Sequence, residues 1–175
     1  MGTGLFKAPG PRVSDQYRER TVKVVDKVFR LSDLDRECSL DQFKGATICF
    51  GHFNTIHPGH VRYFRTAREH SETLIVALEG DAQLPPNQRQ NIFPEEDRAQ
   101  SLAALDLIDY IVILDSGPLE DFLRSTPFST LVLGKEFEDI RAPKVALAVA
   151  VVNSKSASVI YDAGETHYAS SELFS

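Results

Sequence analysis

The chain has 175 residues, 42% of them hydrophobic and 25% charged, with 25 acidic against 19 basic side chains for a net charge of −6. That length and mix suit one globular domain, and the acidic balance without a long basic block argues against duplex nucleic acid or an anionic membrane as the main partner. Cys38 and Cys49 are too few for a disulfide framework or a zinc cluster, and with neither a leader peptide nor an apolar run of about 18 residues the chain reads as cytoplasmic.

The Gly- and Pro-rich start, residues 1–13, is expected to be disordered. Residues 14–44 mix charge with scattered apolar positions and form a lead-in packed on the main domain. Within it "LSDLDREC" offers Ser32 as a helix N-cap with Asp35 three residues on. Regular patterning begins at residue 46. "ATICFG" is a short apolar strand closed by Gly51, and "GHVRYFRTAREH" carries apolar positions at helical spacing. "TLIVAL" is the next strand, and "PEEDRAQSLAAL" opens as a helix should, with Pro and acids. The strand "DYIVIL" precedes the helix "GPLEDFLRS", and "STLVLG" is the fourth strand. "APKVALAVAVVNS" is long and alanine-rich enough to be a helix despite its valines, "SASVIYD" is the fifth strand, and "SSELFS" starts a short last helix capped by serine. Strands that are continuous apolar runs, alternating with helices, predict a three-layer α/β/α domain of Rossmann-like type over residues 45–175. Its sheet is mostly parallel and five-stranded, with ligands beyond the strands' carboxyl ends.

At the end of the first of these strands, "CFGHFNTIHPGHVRYF" places three of the chain's five histidines within nine positions. Pro58 fits a first helical turn, and Gly59 leaves backbone room beside it. The positive end of the helix then points back at the strand exit, a seat for phosphate. His57 and His60, three apart, share a helix face and can donate to phosphoryl oxygens. The same spacing admits a metal ion, although a helix N-terminus repels cations, and a structural turn is the third reading.

"FGHFNTIHPGHVRYF" resembles the G-x-F-D-x-x-H-x-G-H signature of the cytidylyltransferase-like nucleotidylyltransferases. "PEEDRAQSLAALDLIDYIVIL", "LVLGKEFED" and "THYASSELFS" are similar to later family segments, in family order, so the resemblance covers about residues 22–175. It is nearest to the branch acting on sugar or polyol phosphates, including heptose-phosphate and glycerol-phosphate nucleotidylyltransferases. The resemblance implies that CTP or ATP, with Mg²⁺ held on the triphosphate rather than by protein side chains alone, is joined to a phosphorylated sugar or polyol with release of pyrophosphate. It implies in-line attack on the α-phosphorus with His57 and His60 as catalytic residues. Ser170 and Ser171 would meet the β and γ phosphates. Gly51, His52, Phe53, Asn54, Gly59 and Arg98 would border the nucleotide, and Gly134, Lys135 and Glu136 its nucleoside end. Arg89 would meet the acceptor. Arg98 reads equally as the partner of Glu95 or Asp97 on an exposed helix, and Phe53 as a core residue. The resemblance also implies a homodimer, and fusion to a sugar kinase domain in a longer protein.

Three positions depart from the family pattern. Asn54 replaces an Asp, His52 a small residue, and "LPPNQRQNIF" the usual Lys- and Arg-Pro-containing stretch. They motivate an alternative, a nucleotide-binding regulatory module with little or no turnover. A class I aminoacyl-tRNA synthetase relative, which shares H-x-G-H, fits poorly with the short chain and acidic balance.

Overall fold

A computed structural model describes residues 27–139 and 143–161. They form a single six-stranded parallel sheet in the order β1-β4-β3-β2-β5-β6. Its strands are β1 (Val28–Arg30), β2 (Ala46–Gly51), β3 (Leu74–Glu79), β4 (Tyr110–Leu114), β5 (Phe128–Leu133) and β6 (Ser158–Tyr161). The α/β expectation holds and the strand count does not: the described residues form six strands. The extra one, β1, lies in the segment read as a lead-in and pairs in parallel with β4, Phe29 opposite Val112. Three residues are too few to show periodicity, so pairing rather than pattern defines this strand.

The central strands are apolar throughout because both faces are covered. Against one face lie α2 (Pro58–Arg68), through Tyr63, Phe64 and Ala67, and α4 (Glu95–Ala103), through Ala99, Leu102 and Ala103. Against the other lie α5 (Leu119–Ser125), through Phe122 and Leu123, and α7 (Pro143–Ser154), through Val145, Ala148 and Val152. The valines of α7 that suggested strand therefore sit at helical spacing toward the core. Short helices α1 (Leu34–Glu37), α3 (Pro86–Arg89) and α6 (Glu136–Asp139) fill the connections. Ser32 caps no helix. Its backbone N–H and hydroxyl both donate to the Asp115 carboxylate at the end of β4, and Asp33 at the start of α1 makes no side-chain cap. At the opposite, amino-terminal end of the strands, Asp109 pairs with Arg68 and accepts the Leu74 N–H at 2.8 Å, fixing where β3 begins.

β2 is the middle of the assembly, flanked by β3 and β5. Each fully buried Ile, Leu or Phe along these strands contributes about 1.5–3 kcal/mol, so the carboxyl end of β2 rests on a stiff platform. Cys49 is fully buried there, and burial pushes its thiol up to about 12. No described helix is long and apolar enough to cross a membrane. The start at 1–13 and the closing helix expected at 170–175 lie outside the described residues.

Candidate active site

Pro58 occupies the first helical turn of α2, and His57, in extended conformation (φ −129°, ψ 169°), is its N-cap. The His57 Nδ1 accepts the Gly59 N–H at 3.1 Å, satisfying one of the free donors of the helix start. That contact requires glycine, because a Cβ at Gly59 would stand 2.8 Å from the His57 ring carbon Cε1. An accepting Nδ1 leaves the proton of a neutral His57 on Nε2.

His60 carries the other tautomer. Its Nδ1 lies 3.1 Å from the Thr55 carbonyl oxygen, and a carbonyl only accepts, so Nδ1 holds the proton and Nε2 the lone pair. The two imidazoles stack with centroids 3.9 Å apart and planes 23° apart, and Phe53 meets His60 edge-on at 5.1 Å. Burial, then the proximity of His57, push His60 down to about 4, with His52 adding to the fall and the Thr55 carbonyl opposing it. The free protein therefore presents a donor on His57 Nε2 and, at neutral pH, an acceptor on His60 Nε2. The second becomes a donor only after taking a proton, which an incoming polyanion favours.

The turn joining β2 to α2 is held from several sides. Phe53 is buried and sits at φ +43°, a conformation that costs a residue with a side chain about 1 kcal/mol. Its ring folds back over Gly51, where an added Cβ would lie 3.0 Å from Phe53 Cζ. Phe53 thus packs with His60, Tyr63 and Phe64 as a core residue. Asn54 bridges to the next loop, accepting from the Phe93 N–H at 2.7 Å and donating to the Asn91 carbonyl at 3.2 Å. An aspartate could make only the first of these bonds. Tyr63 donates its hydroxyl to the Val132 carbonyl at 2.5 Å and accepts from the Phe50 N–H at 3.4 Å, tying β2 to β5.

Arg98 calls for a correction. It is neither on an exposed face paired with Glu95 or Asp97 nor open to a ligand: its side chain is fully buried. Nε donates to the Phe93 carbonyl, Nη1 to the His52 and Glu79 carbonyls, and Nη2 to the Asp81 carboxylate, at 2.6–2.9 Å. All three guanidinium nitrogens are engaged, so Arg98 is the clamp that gathers the motif turn, the end of β3 and the following loop. Arg89 also serves its own loop, donating to the Leu84 and Ala82 carbonyls, and no described contact brings it to the histidines.

Gly134, Lys135 and Glu136 follow β5, the neighbour of β2, on the same rim as the histidine pair. The Gly134 carbonyl accepts from the Phe137 N–H to start α6, and Lys135 and Glu136 are exposed. His52, also exposed, is near enough to His60 to depress it. Ser170 and Ser171 lie outside the described residues. Among the described residues no group of three His, Cys, Asp or Glu side chains is placed to hold a metal. Sequence reading missed the Thr55 carbonyl, which carries no side-chain signal, and Asp81, whose position just beyond a strand in "EGD" was its only mark.

A parallel sheet with a stacked histidine pair at the helix start beyond its central strand defines an α/β protein of the H-x-G-H type. The profile of one family, described as cytidylyltransferase-like, matches residues 48–171, and the chain belongs to that family. It is 30% identical over 115 residues to the bifunctional protein HldE of Geobacter sulfurreducens, covering 63% of this chain and 24% of that protein. It is 30% identical over 151 residues to the protein of the same name from Citrifermentans bemidjiense, covering 78% and 31%. The chain thus spans a quarter to a third of the length of these relatives. The crystal structure of the lipopolysaccharide core biosynthesis protein from Thermoplasma volcanium superposes with a TM-score of 0.57 at 18% identity, over 69% of this chain and 98% of that one. At that identity the likeness speaks for the fold.

Proposed function

We propose that the chain transfers a nucleotidyl group from ATP or CTP to a phosphorylated sugar or polyol. The observation that carries this reading is the stacked His57–His60 pair at the start of α2 in a chain of this family. An acceptor phosphate oxygen attacks the α-phosphorus, a new P–O bond forms, the bond to the β-phosphate oxygen breaks, and pyrophosphate leaves. No covalent enzyme intermediate is needed, so catalysis is positioning and charge stabilisation. His57 donates from Nε2 to the transferring phosphoryl group. His60, once protonated against the approaching triphosphate, donates from its own Nε2. Backbone N–H groups at the start of α2 add to the field. Ser170 and Ser171 take the β and γ phosphates, and Gly134 to Glu136 border the nucleoside, while Arg89, expected at the acceptor, is held by the Leu84 and Ala82 carbonyls of its own loop. Mg²⁺ would ride on the triphosphate oxygens, where it neutralises charge. The relatives' name, bifunctional, and their greater length favour a second domain alongside this one, with a sugar kinase as the candidate.

The test is pyrophosphate release with ATP, CTP, UTP and GTP across a panel of sugar and polyol phosphates. One nucleotide should support turnover, and His57→Ala or His60→Ala should reduce it about 10²–10³-fold. Full activity in His60→Ala refutes the mechanism. Tight triphosphate binding without release for any acceptor favours the regulatory module, for which the latched, uncharged Asn54 is the motive.

A further inference from the structure

Two cavities flank the motif turn and share Ile56 as their common wall. One, of about 410 Å³, is bounded by His57, Val61, Arg62 and Arg65 on the outer side of α2. The other, of about 530 Å³, is bounded by Asn54, Phe93, Asp97 and Ser101, toward α4. Both are open depressions at the surface rather than enclosed cavities.

Their chemistries are complementary. Arg30, Arg36, Arg68, Arg98 and Arg124 are each paired with a carboxylate, and Arg89 is spent on carbonyls. Arg62 and Arg65, one turn apart, have no carboxylate partner among the described residues. Nε and Nη2 of Arg62 are withdrawn from solvent and meet no acceptor there. Adjacent like charges with buried, unmet donors destabilise the free protein; an anion relieves the repulsion, and Arg62 turning outward to meet it relieves the second cost. A guanidinium pair beside a histidine suits a phosphoryl group.

The second cavity contains no cation. Phe93 is 59% exposed at its rim, a large apolar ring left in water. The face of an aromatic ring is negative and accepts the weakly positive C–H side of a sugar or polyol. Asp97 has no ion-pair partner among the described residues, and a carboxylate can accept from two neighbouring hydroxyls. The cavity opens toward α4 and the loop after β3, whereas the nucleoside rim at Gly134 follows β5, on the other side of β2. Nucleoside and cavity are thus on opposite sides of the motif.

The geometry points to an acceptor seat straddling Ile56, with the phosphoryl end against His57, Arg62 and Arg65 and the hydroxylated carbon chain against Phe93 and Asp97. It rests on the nucleotidyl-transfer reading and names the residues that would select its acceptor: Arg62 and Arg65 for the phosphate, Phe93 and Asp97 for the hydroxylated part. The phosphoryl end then lies beside His57, where attack on the α-phosphorus takes place.

NMR titration of the 175-residue chain with inorganic phosphate, mannose 1-phosphate, ATP and CTP tests it. The substituted positions are partly or wholly exposed, and a melting curve for each variant confirms its fold. Arg62→Gln with Arg65→Gln should weaken both inorganic phosphate and mannose 1-phosphate by about tenfold or more. Phe93→Ala or Asp97→Asn should weaken mannose 1-phosphate about fivefold and leave inorganic phosphate within about twofold, and all variants should hold the nucleotides within about twofold. Mannose 1-phosphate that fails to bind the wild type, or binds all variants alike, overturns the seat. So does loss of nucleotide rather than sugar phosphate in the arginine variant, which assigns that cavity to the triphosphate. Failure of ATP and CTP to bind the wild type, with the sugar-phosphate pattern intact, upholds the seat and removes the nucleotidyl-transfer reading instead.

Discussion

Replacing His60 by glutamine should flatten the acid side of the stability curve. Free imidazole titrates near 6.5, and His60 is pushed down to about 4 by burial and by His57 and His52. Between those values the unfolded chain takes up a proton that the folded chain refuses. The native state is therefore fully favoured above about pH 6.5 and loses stability as the pH falls toward 4. At pH 5.0 the loss is about 2 kcal/mol by that linkage, and water at the exposed edge of the ring reduces it to about 1–2 kcal/mol. For a chain of this length that is a Tm drop of about 2–8 °C between pH 7.5 and 5.0. Glutamine keeps an N–H to offer the Thr55 carbonyl but does not titrate, and carboxylates common to both proteins cancel in the comparison. Differential scanning calorimetry of wild type and His60→Gln at the two pH values reads the difference directly. Equal drops in both proteins would refute the reasoning.

Nucleotide binding near pH 6 should take up a proton, because His60 donates from Nε2 only as imidazolium; calorimetry in two buffers of different ionisation enthalpy measures it. Gly59→Ala should displace the His57 ring and lose the bond to its Nδ1, costing about 1 kcal/mol in urea unfolding and lowering turnover more than nucleotide affinity. Arg98→Met should cost about 3–5 kcal/mol, since it leaves three carbonyls without their Arg98 donor and removes the cation beside Asp81; a chemical melt within about 1 kcal/mol of wild type would contradict the clamp. Asn54→Asp should lose the bond to the Asn91 carbonyl and destabilise by about 1 kcal/mol, visible as faster amide exchange in residues 91–93.

The alternation of apolar runs and amphipathic stretches made the layered fold readable, because a doubly covered parallel sheet imprints itself as continuous hydrophobic strands. Strand β1 was not readable: "VFR" has no period of its own and is a strand only because the edge of β4 is there to pair with it. At the site, the histidine spacing and Pro58 announced a helix start facing a strand exit. What each histidine does with its proton was hidden, since it depends on the Gly59 amide and the Thr55 carbonyl, backbone groups every residue has. Arg98 was misread for a related reason. A charged residue among acids on a helix looks exposed, and only the fold brings His52, Glu79 and Phe93 together around it. Asn54 looked like a lost carboxylate, whereas in the structure its amide makes a bond that no carboxylate can.

The position of β2 between β3 and β5 also bears on how the protein is made. β3 follows β2 directly along the chain, but β5 does not end until Leu133, long after Gly51. At about 5–20 residues per second, a ribosome delivers that neighbour roughly 4–16 s after the histidine strand has emerged. For that interval Ile48 and Phe50, wholly or nearly inaccessible in the finished sheet, lie along an open edge with their covering helices α5 and α7 not yet complete. Tyr63 has no Val132 carbonyl to hold. The rim that carries the histidine pair is thus among the last parts of the nascent protein to close, and a chain stalled before residue 133 would present an unpaired apolar strand to chaperones.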